Sequence, residues 1–361
     1  MSEPHPKAPI PVRYEHTPNL ADVLQGLGVS LMMSTYQAGK VLTVGVQDGA
    51  PVFSFHHFEQ AMGLAPHPRR LAVGSRRQVW ILNSAPELAP RIEPAGRYDS
   101  CFLTRTAHYT GNIHVHEMAW ADDELWVVNT LFSCLCTLGD DYSFVPRWRP
   151  SFISELAAED RCHLNGIAME DHRPRFVTVM SETDTAAGWR PTKATSGCII
   201  DVPSGEVVAR GLAMPHSPRF HGKELWVLDS GHGRLSKVDL ETGRAEPVAQ
   251  LDGYTRGLAM YGPYAFIGLS KIRETSVFNG IPIAEHRERL RCGLAVVDVR
   301  SGKLVAGLNF HSGVDEIFDV KLLPGVRNPS LSGPLPEIDG AQTVWLVPSP
   351  KQTLEPVATP A

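Results

Sequence analysis

Two histidines and one glutamate stand at similar places in three segments that lie far apart in the sequence. The segments are His116-Glu117-Met118-Ala119, His216-Ser217-Pro218-Arg219 and Glu316-Ile317-Phe318-Asp319. Two imidazoles and a carboxylate leave open positions on a bound divalent metal, an arrangement that suits non-haem iron and is chemically compatible with zinc. His163 can add a further nitrogen. We therefore predict a transition-metal site, iron or zinc, formed by His116, His216, Glu316 and His163.

Other polar residues fall at matching points of the same segments and are predicted to surround this metal. Arginine recognises a carboxylate or phosphate through paired N–H donors, and lysine does so as a point charge. The predicted substrate-binding residues are Arg256, Lys271, Arg273, Asn129 and Tyr36. Asn165 and Glu182 are predicted to position water or transfer a proton, and Arg256 to act with them in catalysis. A structural ion pair between Arg256 and Glu316 or Asp315 is the alternative for that arginine.

The elements that must bring these residues together are repeated. Met62-Gly63-Leu64-Ala65, Asn165-Gly166-Ile167-Ala168 and Arg256-Gly257-Leu258-Ala259 resemble the histidine segments, and the period of roughly 40 to 60 residues with short strands is typical of a β-propeller. In such a fold the first strand of each blade lines the central channel, so residues that begin these strands share one rim. We predict an all-β propeller, with that rim as the functional site.

Six blades are predicted, although residues 83–113 are hard to assign and seven is the alternative. The segment after Glu316 supplies one clear strand, and the N-terminal hairpin Leu31–Val46 has the pattern needed to complete that blade. Joining the first and last segments in one blade closes the ring and removes exposed sheet edges. The predicted organisation is an N-terminal arm with a short helix over 1–29, the propeller over 30–347, and a flexible tail over 348–361.

Composition excludes several classes of function. The chain has 361 residues, 43% of them hydrophobic and 20% charged, with a formal net charge of -5, and it lacks a long basic run that would favour nucleic-acid binding. It contains no 18-residue apolar span and no signal-like apolar N-terminal core, so we expect a cytoplasmic protein without a membrane partner. The six cysteines have no metal-binding spacing and are expected to be buried thiols.

Familiar catalytic motifs are missing from the sequence. There is no glycine-rich phosphate loop before a helix, no GxSxG nucleophile elbow and no HExxH. Nucleotide binding and serine-hydrolase chemistry are therefore not expected.

The segments NGIAM, RGLAM, ELWVVNT and ELWVLDSGHG, over about residues 20–347, resemble an uncharacterised bacterial family of conserved hypothetical propellers associated with tetratricopeptide proteins. More distantly, the architecture is similar to six-bladed gluconolactonase and senescence-marker-type propellers. That similarity implies a divalent metal at the channel mouth held by Glu, Asn and Asp, for which Glu316 and Asn165 occupy matching places. His116 and His216 differ from the all-oxygen pattern that calcium favours.

The function predicted from the sequence is a metal-dependent enzyme that acts on a small anionic substrate at the mouth of the channel, by hydrolysis or by oxidation. The alternative is a propeller without catalytic activity that binds a peptide, a partner protein or a small ligand.

Overall fold

A computed structural model describes residues 11–272 and 278–347 of the chain. Arg273, the whole of the predicted tail (348–361) and the first ten residues of the predicted arm lie outside the described residues. The described strands group into six sheets, each of which is one blade of a propeller. The predicted all-β, six-bladed fold is confirmed. Within the described residues no helix is long and apolar enough to cross a membrane.

The strands, in chain order, are β1 Arg13–His16, β2 Val29–Thr35, β3 Lys40–Gln47, β4 Ala50–His57, β5 Leu64–His67, β6 Arg70–Gly74, β7 Gln78–Ser84, β8 Ser100–Tyr109, β9 Val115–Ala121, β10 Glu124–Asn129, β11 Cys134–Thr137, β12 Val145–Trp148, β13 Leu164–Glu170, β14 Arg173–Val179, β15 Gly197–Asp201, β16 Val207–Leu212, β17 Pro215–His221, β18 Glu224–Asp229, β19 Arg234–Asp239, β20 Arg244–Gln250, β21 Tyr254–Tyr261, β22 Tyr264–Ser270, β23 Cys292–Asp298, β24 Lys303–Ser312, β25 Asp319–Pro324 and β26 Pro329–Ser332. One α-helix, α1 Leu20–Leu27, precedes β2.

The first blade contains strands from both ends of the described chain. Its order is β25-β2-β3-β4, so the C-terminal strand β25 pairs antiparallel with the N-terminal strand β2. The other blades are β5–β8, β9–β12, β13–β16, β17–β20 and β21–β24, each in sequence order. Their first strands, with β25, contact one another in turn around the axis. The prediction that N-terminal strands close the ring is confirmed.

Residues 83–113, which were difficult to assign, belong to the second blade. A short 3₁₀ helix, Pro86–Arg91, separates β7 from the long outer strand β8. The segment 325–342 contains β26, which pairs parallel with β8 and widens this blade to five strands. β1 adds a fifth strand to the sixth blade by pairing with β24.

Each blade buries both faces of its middle strands against its neighbours. In β18, Leu225 and Val227 pack into a cluster with the preceding blade, whereas Trp226 and Leu228 pack into a cluster with the following blade. This explains why the strand reads as an uninterrupted apolar run, since a strand buried on both faces loses the usual alternation. Each fully buried side chain of this size contributes roughly 1.5–3 kcal/mol.

Close approach of the inner strands requires glycine at one point of the ring closure. Gly257 has φ of 75°, and a Cβ atom there would lie 2.5 Å from the backbone nitrogen of Val320 in β25. A left-handed backbone and this distance both exclude a larger side chain. The fifth repeat segment therefore carries glycine because β21 packs directly on the closing strand.

The helix α1 ends at Gly28 and is anchored at its start by Asn19. Gly28 has a left-handed conformation. The side chain of Asn19, which precedes the helix, makes no capping hydrogen bond and instead donates to the carbonyl of Val305, 2.8 Å away. Asn19 therefore anchors the helix to the sixth blade.

A cluster of four largely buried charges joins the inner strands at the centre of the ring: Glu117, Arg219, Asp319 and Lys321, here called the channel cluster. Arg219 forms an ion pair with Glu117, and Lys321 lies 3.3 Å from carboxylate oxygens of both Glu117 and Asp319. The polar groups that remain bind backbone atoms of other blades, for example the Leu64 N–H and the Leu258 carbonyl. Each buried charge is therefore paired, and the cluster ties the inner strands together.

Candidate functional site

A cavity of about 320 Å³ lies at the ring's centre, among residues at the starts of the inner strands. Its polar lining consists of Tyr36, His114, His116, Asp160, His163, Arg190, His216, Tyr254, Arg256, Ser270, Lys271 and Glu316. Its apolar lining consists of Met62, Met180, Trp189, Met214, Ile272, Phe278 and Phe318. The structure therefore brings together seven of the ten predicted site residues within its described part, from strands separated by up to 280 positions in the sequence.

His116, the second residue of β9, is held in one tautomer by its surroundings. Its Nδ1 lies 2.8 Å from the hydroxyl oxygen of Thr130 and 3.3 Å from the carbonyl oxygen of His114. The single hydroxyl proton of Thr130 is donated to the Leu164 carbonyl at 2.6 Å, so this oxygen accepts from Nδ1–H. The lone pair of His116 consequently resides on Nε2, the nitrogen available to a ligand.

His216, at the corresponding position of β17, repeats this arrangement. Its Nδ1 lies 2.9 Å from the carbonyl oxygen of Met214 and 3.0 Å from the hydroxyl of Ser230. Because a carbonyl can only accept, Nδ1 carries the proton and Nε2 the lone pair. In both blades the carbonyl comes from two residues before the histidine and the hydroxyl from fourteen residues after it. The repeat thus places two identical imidazole acceptors in one cavity.

His163 immediately precedes β13 and is oriented by a carboxylate. Its Nδ1 lies 2.9 and 3.0 Å from the two oxygens of Asp160, which also accepts a hydrogen bond from the indole N–H of Trp189 at 3.1 Å. Nδ1–H donates to the carboxylate, so the neutral tautomer of His163 that fits this contact has its lone pair on Nε2. His163 contacts His116 edge to face, with ring centroids 4.8 Å apart.

Burial keeps the histidines on the inner strands neutral. Removal from water lowers the pKa of His116 and His216 well below the ordinary value of 6.5, and the nearby Arg256 lowers the pKa of both further. Burial also lowers the pKa of His114. The opposite effect holds for a phenol, because burial raises the pKa of Tyr254 and keeps its hydroxyl protonated. At neutral pH the cavity therefore offers imidazole acceptors and a phenolic donor.

Arg256 supplies a buried cation to the same cavity. It is 8% exposed, its Nη1 lies 3.2 Å from Oε1 of Glu316, and its guanidinium carbon lies 3.3 Å from the ring centroid of Phe318. The ion pair that was the alternative prediction for Arg256 is confirmed. Lys271 forms a more exposed pair with Asp315 at 3.5 Å. In the described lining, three cations (Arg190, Arg256 and Lys271) accompany two carboxylates (Asp160 and Glu316), and Asp315, the partner of Lys271, lies next to this lining.

Three of the predicted site residues do not line the cavity. Asn165 is buried and its Oδ1 accepts a hydrogen bond from the Thr178 hydroxyl at 2.6 Å, and Asn129 accepts from the backbone N–H of Phe132. Glu182 is exposed and forms a two-point ion pair with Arg210. The bonded oxygens therefore serve a strand, a turn and a surface pair, whereas the buried Nδ2 atoms of Asn129 and Asn165 have no hydrogen-bond partner within the described residues. Arg273 lies outside the described residues.

The four predicted metal ligands, His116, His163, His216 and Glu316, all line the cavity. Among the residues that the structure describes, no group of three or more His, Cys, Asp or Glu side chains is positioned to hold a metal ion. Glu316 is paired with Arg256, and Asp160 is hydrogen-bonded to His163 and Trp189. All six cysteines are buried and unpaired, as predicted.

Several residues of the cavity were not recognised in the sequence. Asp160 and Trp189 lie in long loops whose length was the only signal. Tyr254 begins β21 two residues before Arg256, and Phe318 follows Glu316 by two, so each lies close in sequence to a recognised residue. An alternating search outward from each recognised residue would have found them.

A sequence model of a family described as a domain of unknown function, DUF4915, matches residues 18–331. The chain belongs to this family. The fold of this DUF4915 chain is similar to that in a nidogen/laminin complex, with a TM-score of 0.52, 11% identity, and coverage of 82% of this chain and 98% of that chain. A protein of unknown function from Bacteroides caccae gives a TM-score of 0.51, with the same identity and coverage. At these identities the similarity shows the propeller fold alone. No curated protein matches the sequence.

Proposed function

We propose that this DUF4915 propeller is an enzyme that binds a small anionic molecule in the mouth cavity and acts on it by proton transfer. One observation carries the proposal: His116 and His216 are held by identical hydrogen bonds, with Nδ1 protonated and Nε2 carrying the lone pair, beside the buried Arg256. A neutral imidazole with a fixed lone pair is suited to accept a proton from a bound substrate or water.

The other cavity residues support the remaining parts of such a reaction. Arg256 and Lys271 offset negative charge on the substrate and any charge that develops as a proton leaves it. Tyr254 has a neutral hydroxyl, whose pKa is raised by burial, and it lies 3.5 Å from Nδ1 of His216. The Asp160–His163 pair provides a third imidazole with a fixed orientation. The channel cluster lies among the inner strands that line the cavity.

The proposal is tested by conversion of pooled small carboxylic acids and phosphate esters, followed by mass spectrometry of the mixture. We expect one component to be consumed by the wild type, and a loss of roughly a hundredfold or more in His116→Gln and in His216→Gln. His172→Gln, an exposed histidine beside Asp122, is the matched control and should retain activity. Binding of a component without any product contradicts the enzyme and supports the binding propeller.

Metal-dependent catalysis by iron or zinc is a second candidate function, favoured by a specific observation. All three imidazoles at His116, His163 and His216 donate Nδ1–H to a carbonyl, hydroxyl or carboxylate, as metal-bound histidines commonly do. A bound metal would supply Lewis-acid chemistry at their Nε2 atoms. Elemental analysis of protein purified without chelator or histidine tag tests this: a stoichiometric metal lost in His116→Ala would support it.

The two finer resemblances stay predictions. A gluconolactonase-type metal site would use Glu316 and Asn165, but Asn165 is bonded to Thr178 and is not part of the cavity lining, so the proposal does not use it. Association with a tetratricopeptide protein is a prediction about partners on which the proposal does not depend.

A further inference from the structure

Aromatic rings form a continuous row along the cavity. Trp189, His163, His116, Phe318 and Tyr36 follow one another with ring centroids 4.3, 4.8, 5.2 and 5.6 Å apart. These rings come from a loop, the third and fourth blades, and both chain segments that meet in the first blade. Side chains that serve only the core would pack against other apolar side chains, whereas each ring of this row also lines the cavity.

A second row of rings lines the same cavity. The ring of His216 contacts that of Tyr254, which in turn contacts that of Phe278, at centroid distances of 5.8 and 5.1 Å and interplanar angles of 77° and 72°. Such edge-to-face contacts present both ring faces and ring edges to a guest. Each row contains one of the paired histidines, His116 in the first and His216 in the second. A planar aromatic guest would find complementary surfaces in both rows.

Arg256 provides the charged end of this surface. Its guanidinium carbon lies 3.3 Å from the ring centroid of Phe318, a ring of the first row, and its Nη1 donates to Glu316. Guanidinium has five N–H donors in a planar fork, a geometry that suits paired donation to a carboxylate. The cation and the aromatic surface are therefore adjacent, which favours an acid whose carboxylate is close to an aromatic ring.

The paired histidines add a requirement at another position of the guest. The hydrogen bonds at Nδ1 leave each histidine an acceptor on Nε2. A guest with a hydroxyl group can donate to one of these nitrogens. The cavity volume of about 320 Å³ suits one ring with a short side chain.

We propose that the substrate of this site is a hydroxyaromatic carboxylic acid, with its carboxylate on Arg256, its ring against the two aromatic rows and its hydroxyl on a histidine Nε2. This inference rests on the proposed function, because it names the class of small anion that the mouth cavity takes. An aliphatic acid or a phosphate ester would use Arg256 but would leave the aromatic rows and the imidazole lone pairs without matching groups.

The test uses calorimetric titration of the full-length protein with three acids of increasing side-chain length: 4-hydroxybenzoate, 4-hydroxyphenylacetate and 3-(4-hydroxyphenyl)propionate. The best of these is then compared with analogues that each lack one feature: the ring replaced by cyclohexane, the hydroxyl removed, or the carboxylate converted to the amide. We expect the complete acid to bind at least tenfold more tightly than each analogue.

Variants locate the site of binding. Arg256→Lys keeps the charge but loses the planar fork, and we expect at least a tenfold loss of affinity for the acid and little change for the amide. Phe278→Leu keeps an apolar side chain but removes one ring, and we expect a threefold or greater loss for the aromatic acid alone. Arg210→Lys, an exposed arginine paired with Glu182, is the matched control and should bind as the wild type does. Cooperative thermal unfolding verifies that each variant is folded.

The outcomes separate the two proposals. If the cyclohexane analogue binds as tightly as the aromatic acid, or if Phe278→Leu changes nothing, the aromatic class is overturned and the small-anion proposal survives. The same holds if citrate or inorganic phosphate binds through Arg256 and no aromatic acid does. If none of these anions binds the wild type, both proposals fail.

Discussion

The two histidines on the inner strands illustrate how a repeat fixes the chemistry of a single side chain. His116 and His216 each receive a carbonyl from two residues earlier and a hydroxyl from the end of the next strand. Both acceptors belong to the blade itself, so the tautomer does not depend on a bound ligand. The fold therefore prepares Nε2 as an acceptor before any substrate arrives.

The neutral state of these imidazoles can be measured directly. Because burial and Arg256 lower the pKa of His116 and His216 well below 6.5, we expect both to stay unprotonated when the pH is lowered from 8 to 6. Nitrogen NMR of histidine-labelled protein checks this, with His116→Gln and His216→Gln used to assign the signals. Protonation of either ring above pH 6 would contradict the structure and weaken the proposed role as proton acceptor.

A third buried histidine, remote from the cavity, makes the stability depend on pH. Burial lowers the pKa of His56 to about 4, so the folded state binds fewer protons than the unfolded state between about pH 6.5 and 4. The stabilisation is complete above pH 6.5 and is lost as the pH falls towards 4, at roughly 1.4 kcal/mol per pH unit.

Replacing this histidine should remove that dependence. The unfolding free energy decreases between pH 7 and 4.5, and we expect this decrease to be about 2 kcal/mol smaller in His56→Gln than in the wild type. Urea unfolding at both pH values is the measurement. His172→Gln, at an exposed position, is the control and should follow the wild type. Parallel curves for His56→Gln and the wild type would show that another group carries the dependence.

The residues of the site could be predicted in part from the aligned column of the repeat. His116, His216 and Arg256 follow directly from aligned segments. Asn165 holds the same column position, but it is His163, one residue before the strand, that lines the cavity. The register shifts at this point in β9, β13, β17 and β21 alike, so the alignment of segments does not tell which side chain lines the cavity.

At the scale of the elements, the channel cluster is the feature that joins the inner strands. Glu117 comes from β9, Arg219 from β17 and both Asp319 and Lys321 from β25, and all four are largely buried. Desolvating these charges is costly, but removing one partner leaves the others unpaired and costs more. Any arrangement of blades that separates these strands would leave some of the four charges unpaired, so the cluster favours the observed ring.

Removing one charge of the cluster should destabilise the ring. In Glu117→Gln, Arg219 and Lys321 lose their shared carboxylate, and we expect the unfolding free energy to fall by about 3 kcal/mol. Chemical unfolding measures the change. Glu224→Gln, which breaks a half-exposed pair with Lys237, should cost less than about 1 kcal/mol. Equal effects of the two substitutions would mean that burial does not strengthen the inner pair.

The elements themselves could largely be predicted, whereas the cluster could not. Apolar runs such as Leu225–Leu228 identify a strand because both faces are buried between blades. Glu117 and Arg219 are ordinary charged residues in the sequence, and only the three-dimensional ring brings them together. The strands β1 and β26 were also missed, since four-residue strands at sheet edges carry little periodicity.

The whole molecule is held closed by one blade built from both ends of the described chain. β25 provides the inner strand of that blade, and β2, β3 and β4 provide the others. Two further contacts bridge the junction: Tyr14 of β1 lies against Phe53 of β4, with ring centroids 4.4 Å apart, and Asp339 pairs with Lys40 of β3 at 3.0 Å. We therefore expect the inner strand β25 to contribute more to closure of the ring than the outer strand β1.

Deletions distinguish the two kinds of strand. Removing residues 319–347 takes away the inner strand β25 and exposes the edge of β2, so we expect loss of the cooperative fold and aggregation. Removing residues 11–17 takes away only the outer strand β1, and we expect a folded monomer with a lower melting temperature. Circular dichroism and size-exclusion chromatography compare the two. A folded monomer without residues 319–347 would show that closure does not stabilise the ring.

The closing blade also sets when the cavity comes into existence during synthesis. Tyr36 and Phe318 are neighbours in the cavity, with ring centroids 5.6 Å apart, yet a ribosome adding roughly 5–20 residues per second needs about a quarter of a minute to a minute between them. During that interval β2, β3 and β4 are already synthesised, but the edge of β2 has no partner strand. A chaperone that covers this edge would therefore protect the nascent chain until Phe318 and β25 complete the cavity and the first blade.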